Sequence, residues 1–169
     1  KADNNMVCVH SSRANALVLE ALKNEQVEEL SGYDCIRTEV KYGDEGSRID
    51  LLLSNTATQT QCYVEVKSVT LLEGDSGLGL FPDAVSDRGR KHLRELMMVS
   101  GQGHRAVLFF AVLHTGIGHV APADAIDKKY ADTYREAIAA GVEVIAYGAE
   151  ITSDEIRLRH RLTTLSRSA

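Results

Sequence analysis

The sequence predicts one α/β domain in which a mixed β-sheet is flanked by helices. Segments with helical spacing of apolar residues alternate with short apolar runs that suit strands, in the order α-β-β-β-α-β-α-β. The run at 105–113 is apolar almost throughout, which is typical of a central strand buried on both faces. These two observations carry the prediction.

The first half of the chain is predicted to contain one helix and three strands. Ser11 and Ser12 offer N-caps for a helix over residues 13–30, which ends before Gly32 and is apolar over most of its girth. Strands are predicted at 35–42, 48–53 and 62–71, and the polar stretch between the last two suits a hairpin connection. The apolar run at 6–9 suits either a short strand or the end of a preceding domain.

The second half opens with a glycine-rich stretch at 73–79, which is predicted to be a loop. Ser86 or Asp87 can cap a helix that continues to residue 100, and a second helix over 127–140 ends at Gly141. Strands are predicted at 105–113 and 142–147, followed by a shorter one at 156–158.

Composition limits the class of protein. The 169 residues are 44% hydrophobic and 25% charged, as in an ordinary soluble domain. A net charge of −5 argues against coating of nucleic acid by bulk charge, so that phosphate contacts require local basic clusters. Three widely spaced cysteines predict reduced thiols, and the absence of a signal peptide or membrane-length run predicts a cytoplasmic protein without a membrane partner. Because the sequence begins at Lys1, we expect it to be a fragment of a longer chain.

Asp50, Glu65 and Lys67 form the motif with the clearest chemistry. Glu65 and Lys67 are two residues apart and therefore share one face of their strand, where pairing with the preceding strand can bring Asp50 beside them. Two carboxylates in an apolar hairpin are costly unless a positive charge lies between them. The motif predicts a Mg²⁺ or Mn²⁺ site held by Asp50 and Glu65, with Lys67 orienting a water or stabilising charge on a phosphate. A salt-bridged surface hairpin is the alternative reading.

Two further features favour the catalytic interpretation. Glu20 is a carboxylate on an otherwise apolar helix and is predicted to assist as a metal ligand, although a solvated helix position explains it equally. The start of the later helix is rich in cationic side chains that can bind phosphates, a role predicted for Arg88, Arg90, Lys91, His92 and Arg94. A solvated basic face is the alternative, and it applies also to the second cluster at 157–161.

The motif resembles that of the PD-(D/E)xK nuclease superfamily, with Ile49 where the superfamily has proline before the first acid. Longer strings extend the resemblance to the sugar fermentation stimulation protein A family over nearly the whole chain. They are Leu30-Ser31-Gly32-Tyr33, Glu39-Val40-Lys41-Tyr42-Gly43, Ser47-Arg48-Ile49-Asp50, Tyr63-Val64-Glu65-Val66-Lys67-Ser68-Val69-Thr70-Leu71, Phe81-Pro82-Asp83-Ala84, Arg88-Gly89, His92-Leu93-Arg94-Glu95-Leu96 and Gly141-Val142-Glu143.

This resemblance implies a restriction-endonuclease-like domain that normally follows a small OB-type β-barrel. Residues 1–12 then correspond to the end of the join between the two domains, with His10 where the family has asparagine, and residues 13–169 to the nuclease-like domain. The resemblance also implies DNA binding linked to sugar (maltose) metabolism. A metal-dependent nuclease is therefore expected, and a non-catalytic DNA-binding regulator on the same scaffold is the alternative.

Overall fold

A computed structural model describes residues 5–43 and 46–167. Within these ranges it contains three α-helices, α1 Arg13–Lys23, α2 Asp87–Gly101 and α3 Lys128–Ala139. It also contains nine strands, which are β1 Cys35–Tyr42, β2 Ser47–Asn55, β3 Thr60–Val69, β4 Leu71–Glu73, β5 Leu78–Phe81, β6 Arg105–Val112, β7 His119–Pro122, β8 Glu143–Ile151 and β9 Ile156–Thr164. No helix in the described ranges has the length and hydropathy needed to cross a membrane.

The strands form one mixed sheet in the order β1-β2-β3-β6-β8-β9-β7-β5-β4. The neighbours β3, β6 and β8 run parallel, whereas β1, β2 and β3 form an antiparallel meander. This arrangement confirms the predicted fold class, a mixed sheet flanked by helices. The run at 105–113 contains β6, which lies between β3 and β8 and is buried along nearly its whole length, as expected.

Each face of the sheet carries its own hydrophobic core. On one face α1 packs through Leu17, Val18 and Ala21 against side chains that include Val64 and Phe109. On the other face α2 and α3 pack against the opposite side chains of the same strands, among them Leu52, Val69, Leu108 and Phe110. The alternation of side chains along β3 and β6 therefore supplies both cores and holds the central strands rigid between them.

The first helix is shorter than predicted. α1 ends at Lys23 because Asn24 and then Glu25, with φ of 55°, leave the helical conformation, and the N–H of Gln26 returns to the carbonyl of Ala21 at 2.9 Å. A separate 3₁₀ turn at Glu28–Leu30 follows. The apolar pattern continues across this break because Val27 and Leu30 still pack into the same core.

Three short strands were not predicted. The glycine-rich segment that was predicted to be a loop forms a hairpin of β4 and β5. β7 pairs in parallel with β5. Strands of three or four residues carry too little alternation to be recognised. Of the possible strand at 6–9, only Val7 forms a bridge, with His114, and residues 1–4 of the chain lie outside the described residues.

Two glycines of α2 give a matched test of its packing. A β-carbon on Gly89 would lie 2.7 Å from the hydroxyl of Ser86 and 3.1 Å from the ring of Tyr130, whereas one on Gly101 meets nothing within 4 Å. We expect Gly89→Ala to reduce the free energy of unfolding by about 1–3 kcal/mol through overpacking. Gly101→Ala should leave stability unchanged or raise it by up to about 1 kcal/mol. Chemical denaturation measures both; equal effects would show that the α2–α3 contact tolerates the methyl group.

Candidate active site

Asp50 lies where β2 and β3 separate. The pairing of the two strands ends at Leu51 and Val64, and beyond it the carboxylate of Asp50 accepts the backbone N–H of Val66 at 2.7 Å. A side-chain oxygen thus takes the place of the carbonyl that a continuing strand would provide. The separation leaves β3 without a strand partner on this edge beside the predicted motif.

The first helix contacts Asp50 through an asparagine. The side-chain amide of Asn15 donates to the second oxygen of Asp50 at 2.7 Å, so both carboxylate oxygens are hydrogen-bonded. Glu20, the residue predicted to assist here, is exposed and lies about 140° around the helix axis from Asn15. Its role as a metal ligand therefore stays a prediction, and Asn15 is the α1 side chain that reaches the site.

Glu65 is the buried centre of the cluster, with 2% of its surface exposed. One oxygen of its carboxylate contacts both the ammonium of Lys67, at 2.6 Å, and Nδ1 of His92. The other oxygen is buried and has no hydrogen-bond partner among the described residues. The structure thus brings Glu65 and Lys67 into direct contact, as the alternation along β3 predicts.

His92 belongs to this buried cluster and also lines a cavity together with Arg88 and Lys91. It is 6% exposed, and its Nε2 faces the Nε–H of Arg88 at 3.4 Å. Its Nδ1 contacts Glu65 and also lies 3.1 Å from the ammonium of Lys67, so the imidazole packs against both members of the ion pair. The imidazole therefore helps to hold Glu65 in place, and its role as a nucleic-acid contact stays a prediction.

The two acidic residues titrate in opposite directions. Burial, reinforced by the charge of Glu65, raises the pKa of Asp50 above its ordinary value, against the hydrogen bonds from Val66 and Asn15. Burial alone would raise the pKa of Glu65 as well, but the contacts with His92 and Lys67 outweigh it and lower that pKa. The environment therefore favours the ionised form of Glu65 and disfavours that of Asp50 relative to their ordinary behaviour, and a bound cation would relieve the cost at Asp50.

The predicted basic residues divide into two groups. Arg88 and Lys91 line an open cavity of about 390 Å³ that also includes Asp50 and Arg48, an exposed cation that the sequence reasoning missed. Arg94 is exposed but does not line this cavity.

Arg90 faces the interior and pairs with the buried Asp127 at 3.1 Å and with Asp87. Its side chain therefore joins α2 to α3, and its predicted contact with a phosphate stays a prediction.

The oxygen atoms around Asp50 and Glu65 suit a hard divalent cation. Backbone groups alternate in direction along a strand, so the carbonyl of Val66 lies on the same edge of β3 as the N–H that binds Asp50. The unpartnered oxygen of Glu65 is a further ligand candidate. In the part of the chain that the structure describes, no three His, Cys, Asp or Glu side chains are placed to hold a metal. Bound Mg²⁺ would thus depend on backbone and water oxygens, which that ion accepts.

A second acid and a phenol lie close to this centre. Burial raises the pKa of Tyr42 strongly, and the charges of Glu65, Glu95 and Asp50 add to the effect. Glu95 is 3% exposed, and neither of its oxygens has a hydrogen-bond partner among the described residues. The only sequence signal for Glu95 was its position three residues after His92 on the same helix face.

Comparison with known proteins identifies the family. A model of the sugar fermentation stimulation protein RE domain matches residues 12–155 of the chain. A sugar fermentation stimulation protein homolog from Shewanella sp. (strain MR-4) is 58% identical over 153 residues, which cover 90% of this chain and 64% of the relative. The homolog from Shewanella sp. (strain ANA-3) is 57% identical over 155 residues, which cover 92% of this chain and 65% of that protein.

A solved structure agrees with these sequence matches. Pyrococcus furiosus SfsA in complex with Ca²⁺ superposes with a TM-score of 0.80 at 31% sequence identity, over 91% of this chain and 65% of that one. The chain therefore spans a little under two thirds of the length of the relatives it matches.

Proposed function

The chain belongs to the sugar fermentation stimulation protein family, and we propose that its site is a Mg²⁺- or Mn²⁺-dependent phosphodiesterase centre that acts on DNA. The observation that carries this proposal is the meeting of Asp50, Glu65 and Lys67 where β2 and β3 separate. We further propose that the protein works in the cytoplasm and that the additional length of its relatives contains an OB-type barrel.

Each residue of the centre has a distinct role. Asp50 and Glu65 would hold the cation, and the carbonyl of Val66 adds a neutral oxygen on the same edge. The cation supplies Lewis-acid polarisation of the phosphate and activation of water. Asn15 orients Asp50, His92 orients Glu65, and Lys67 places an ammonium where charge develops on a phosphate oxygen. Arg48, Arg88 and Lys91 line the cavity beside Asp50 and would bind neighbouring phosphates.

The presence of Ca²⁺ in the Pyrococcus furiosus relative supports a divalent cation in this family. Ca²⁺ and Mg²⁺ both prefer oxygen ligands, and the donors around Asp50 and Glu65 are of that kind. Because the chain covers 65% of that relative, the activity of the whole protein forms part of the proposal.

Metal binding can be measured without any nucleic acid. We expect Mn²⁺ at a hundred times its dissociation constant to stabilise the fold by about 2.7 kcal/mol, which raises the melting temperature by roughly 5–10 °C. Asp50→Asn should remove most of this shift because it deletes one of the two carboxylates. An identical melting temperature with and without millimolar Mn²⁺ would refute a formed cation site.

The direct test of the function is cleavage of labelled single- and double-stranded DNA in Mn²⁺. We expect cutting that disappears in chelator and in Asp50→Asn. Cutting that survives the substitution would come from a contaminant or from another site, and it would overturn this assignment.

One observation favours a second candidate, a non-catalytic DNA-binding regulator of sugar (maltose) metabolism. Lys67 already neutralises Glu65 without a metal and His92 contacts the same oxygen, so the cluster is able to serve as a structural network. In that case DNA would bind with an affinity that depends on Arg48 and Arg88, and Mn²⁺ would change neither stability nor the length of the DNA.

A further inference from the structure

The edge of β3 that faces away from β6 is open beyond Val64. On its other side β3 pairs with β6, and the carbonyl of Val69 accepts the N–H of Leu113 at 2.9 Å. Because backbone groups alternate along a strand, Ser68 directs its N–H and its carbonyl to the side on which β2 has already left. An open strand edge presents a donor and an acceptor that water or a ligand must satisfy.

A cavity of about 430 Å³ lies at this open edge. Its wall on β3 includes Val66, Lys67 and Ser68, and Thr70 follows directly after the strand, while α1 and Phe81 contribute to other walls. We call it the β3-edge cavity. The hydroxyl of Ser68 is buried and has no hydrogen-bond partner among the described residues. A buried hydroxyl without a partner costs free energy, and a polar ligand would recover this cost once the serine side chain turns toward the cavity.

The two cavities beside the proposed centre differ in chemistry. The one lined by Arg48, Arg88 and Lys91 presents cations that suit phosphates. The β3-edge cavity presents neutral hydrogen-bonding groups, an aromatic ring and one charge of each sign, from Lys67 and Asp83, so its lining has no net charge. Asp50 lines the first cavity, and its hydrogen-bond partners Asn15 and Val66 line the second. The two cavities therefore lie on either side of the contacts of Asp50. The lining of one suits phosphates, and the lining of the other suits uncharged groups.

We propose that the β3-edge cavity binds the sugar and base of one unpaired nucleotide next to the phosphate at the centre, so that the substrate class is single-stranded nucleic acid. This inference rests on the proposed function. Ser68 offers a donor and an acceptor of the backbone and a hydroxyl, which together match the mixed donor and acceptor groups of a base edge. A paired base has its edge and faces occupied and must leave the stack, which costs free energy, before it can enter.

A peptide strand added to the same edge is a less suitable occupant. Strand addition gains affinity from a run of backbone hydrogen bonds. After β2 separates, β3 continues only to Val69. Between Val66 and that end, Ser68 is the one residue whose backbone groups face this side, so a run of hydrogen bonds is not offered.

Binding in Ca²⁺ tests the proposal, with gel analysis to verify that the strands remain intact. The probes are a short fluorescent DNA strand of mixed sequence and the blunt duplex formed with its complement, both followed by anisotropy. We expect the single strand to bind more tightly than the duplex. Ser68→Ala should weaken single-strand binding about three- to tenfold without lowering the melting temperature, because the hydroxyl has no internal partner. Ser68→Val, which adds methyl groups in the cavity, should weaken it further.

Ser153→Ala, at an exposed turn before β9, is the matched control and should leave binding unchanged. Equal affinity for strand and duplex, or single-strand binding unaffected by both Ser68 variants, would overturn the pocket proposal. The proposed function fails separately, if Mn²⁺-dependent cutting is absent while binding still depends on Ser68. Competition by an unstructured peptide with the same loss in the Ser68 variants would identify a peptide site and also overturn the proposal.

Discussion

Lys67→Ala will abolish metal-dependent cleavage of DNA. The ammonium of Lys67 lies 2.6 Å from Glu65, one residue along from the N–H that binds Asp50. Removal of one preorganised group that stabilises transition-state charge lowers kcat by about 10²–10³ in other enzymes. We expect a loss at least at the lower end of that range, because no other cation among the described residues contacts Glu65 except His92 when it is protonated.

The same substitution has a second, distinguishable effect. Without Lys67 the buried Glu65 keeps only the hydrogen bond from His92, so the free energy of unfolding should fall by about 1–3 kcal/mol. A divalent cation can replace the lost charge. Mn²⁺ should therefore raise the melting temperature of Lys67→Ala by more than it raises that of the unmodified protein, even though the variant does not cut.

The assay compares single-turnover cleavage rates and melting curves for both proteins with and without Mn²⁺. Lys41→Ala is a matched control, because Lys41 follows Glu39 in the same acid-x-lysine spacing but is exposed on β1. It should change neither rate nor metal response. Cleavage that continues at the normal rate in Lys67→Ala would remove Lys67 from the chemistry and favour the regulator.

Among substitutions of buried polar residues, we expect Asp127→Ala to cause the largest loss of stability. Asp127 is 4% exposed and caps α3 by accepting the N–H of Tyr130 at 2.9 Å. It also accepts the N–H of Ser86 at 2.8 Å and pairs with Arg90. Alanine leaves these donors without their acceptor, so the free energy of unfolding should fall by about 3 kcal/mol. Chemical denaturation measures this loss.

The contribution of Asp127 also depends on pH. Burial alone would raise the pKa of Asp127, but the N–H groups of Ser86 and Tyr130 and the charge of Arg90 lower it below its ordinary value. A lowered native pKa gives stability that is complete above the unfolded-state pKa of about 3.9 and is lost as pH falls through the native value. Asp127→Asn retains a capping oxygen and should lose less than alanine at pH 7. Its deficit should shrink below about pH 4; a deficit independent of pH would show that the charge is unimportant.

The order of the long elements followed from the sequence because each carries its own periodicity. β1 has the predicted bounds, α2 begins after its Ser86 cap as expected, and α3 is capped by Asp127. The end of α1 was missed because a positive φ at Glu25 interrupts the backbone without interrupting the apolar pattern. The short strands β4, β5 and β7 depend on partners distant in sequence and leave no local signal.

The site was predictable to the extent that it depends on alternation along a strand. Glu65 and Lys67 had to share a face, and they do. The contact of Asp50 with Val66 and Asn15 was not predictable, because it requires β2 and β3 to separate and α1 to adopt a particular rotation over the sheet. The burial of His92 and the inward pairing of Arg90 likewise depend on the rotation of α2 about its axis. The run of basic residues in the sequence does not reveal that rotation.

The ion pair between Glu65 and Lys67 has a practical consequence for handling the protein. Since the lysine supplies positive charge at the buried glutamate, we expect the protein to fold without a bound cation. Protein stripped with a chelator should keep its native circular dichroism spectrum and accept a different ion afterwards. Under the proposed function, one preparation could be reloaded with Mg²⁺, Mn²⁺ or Ca²⁺ in turn, so that differences between ions report on chemistry and not on the history of the sample.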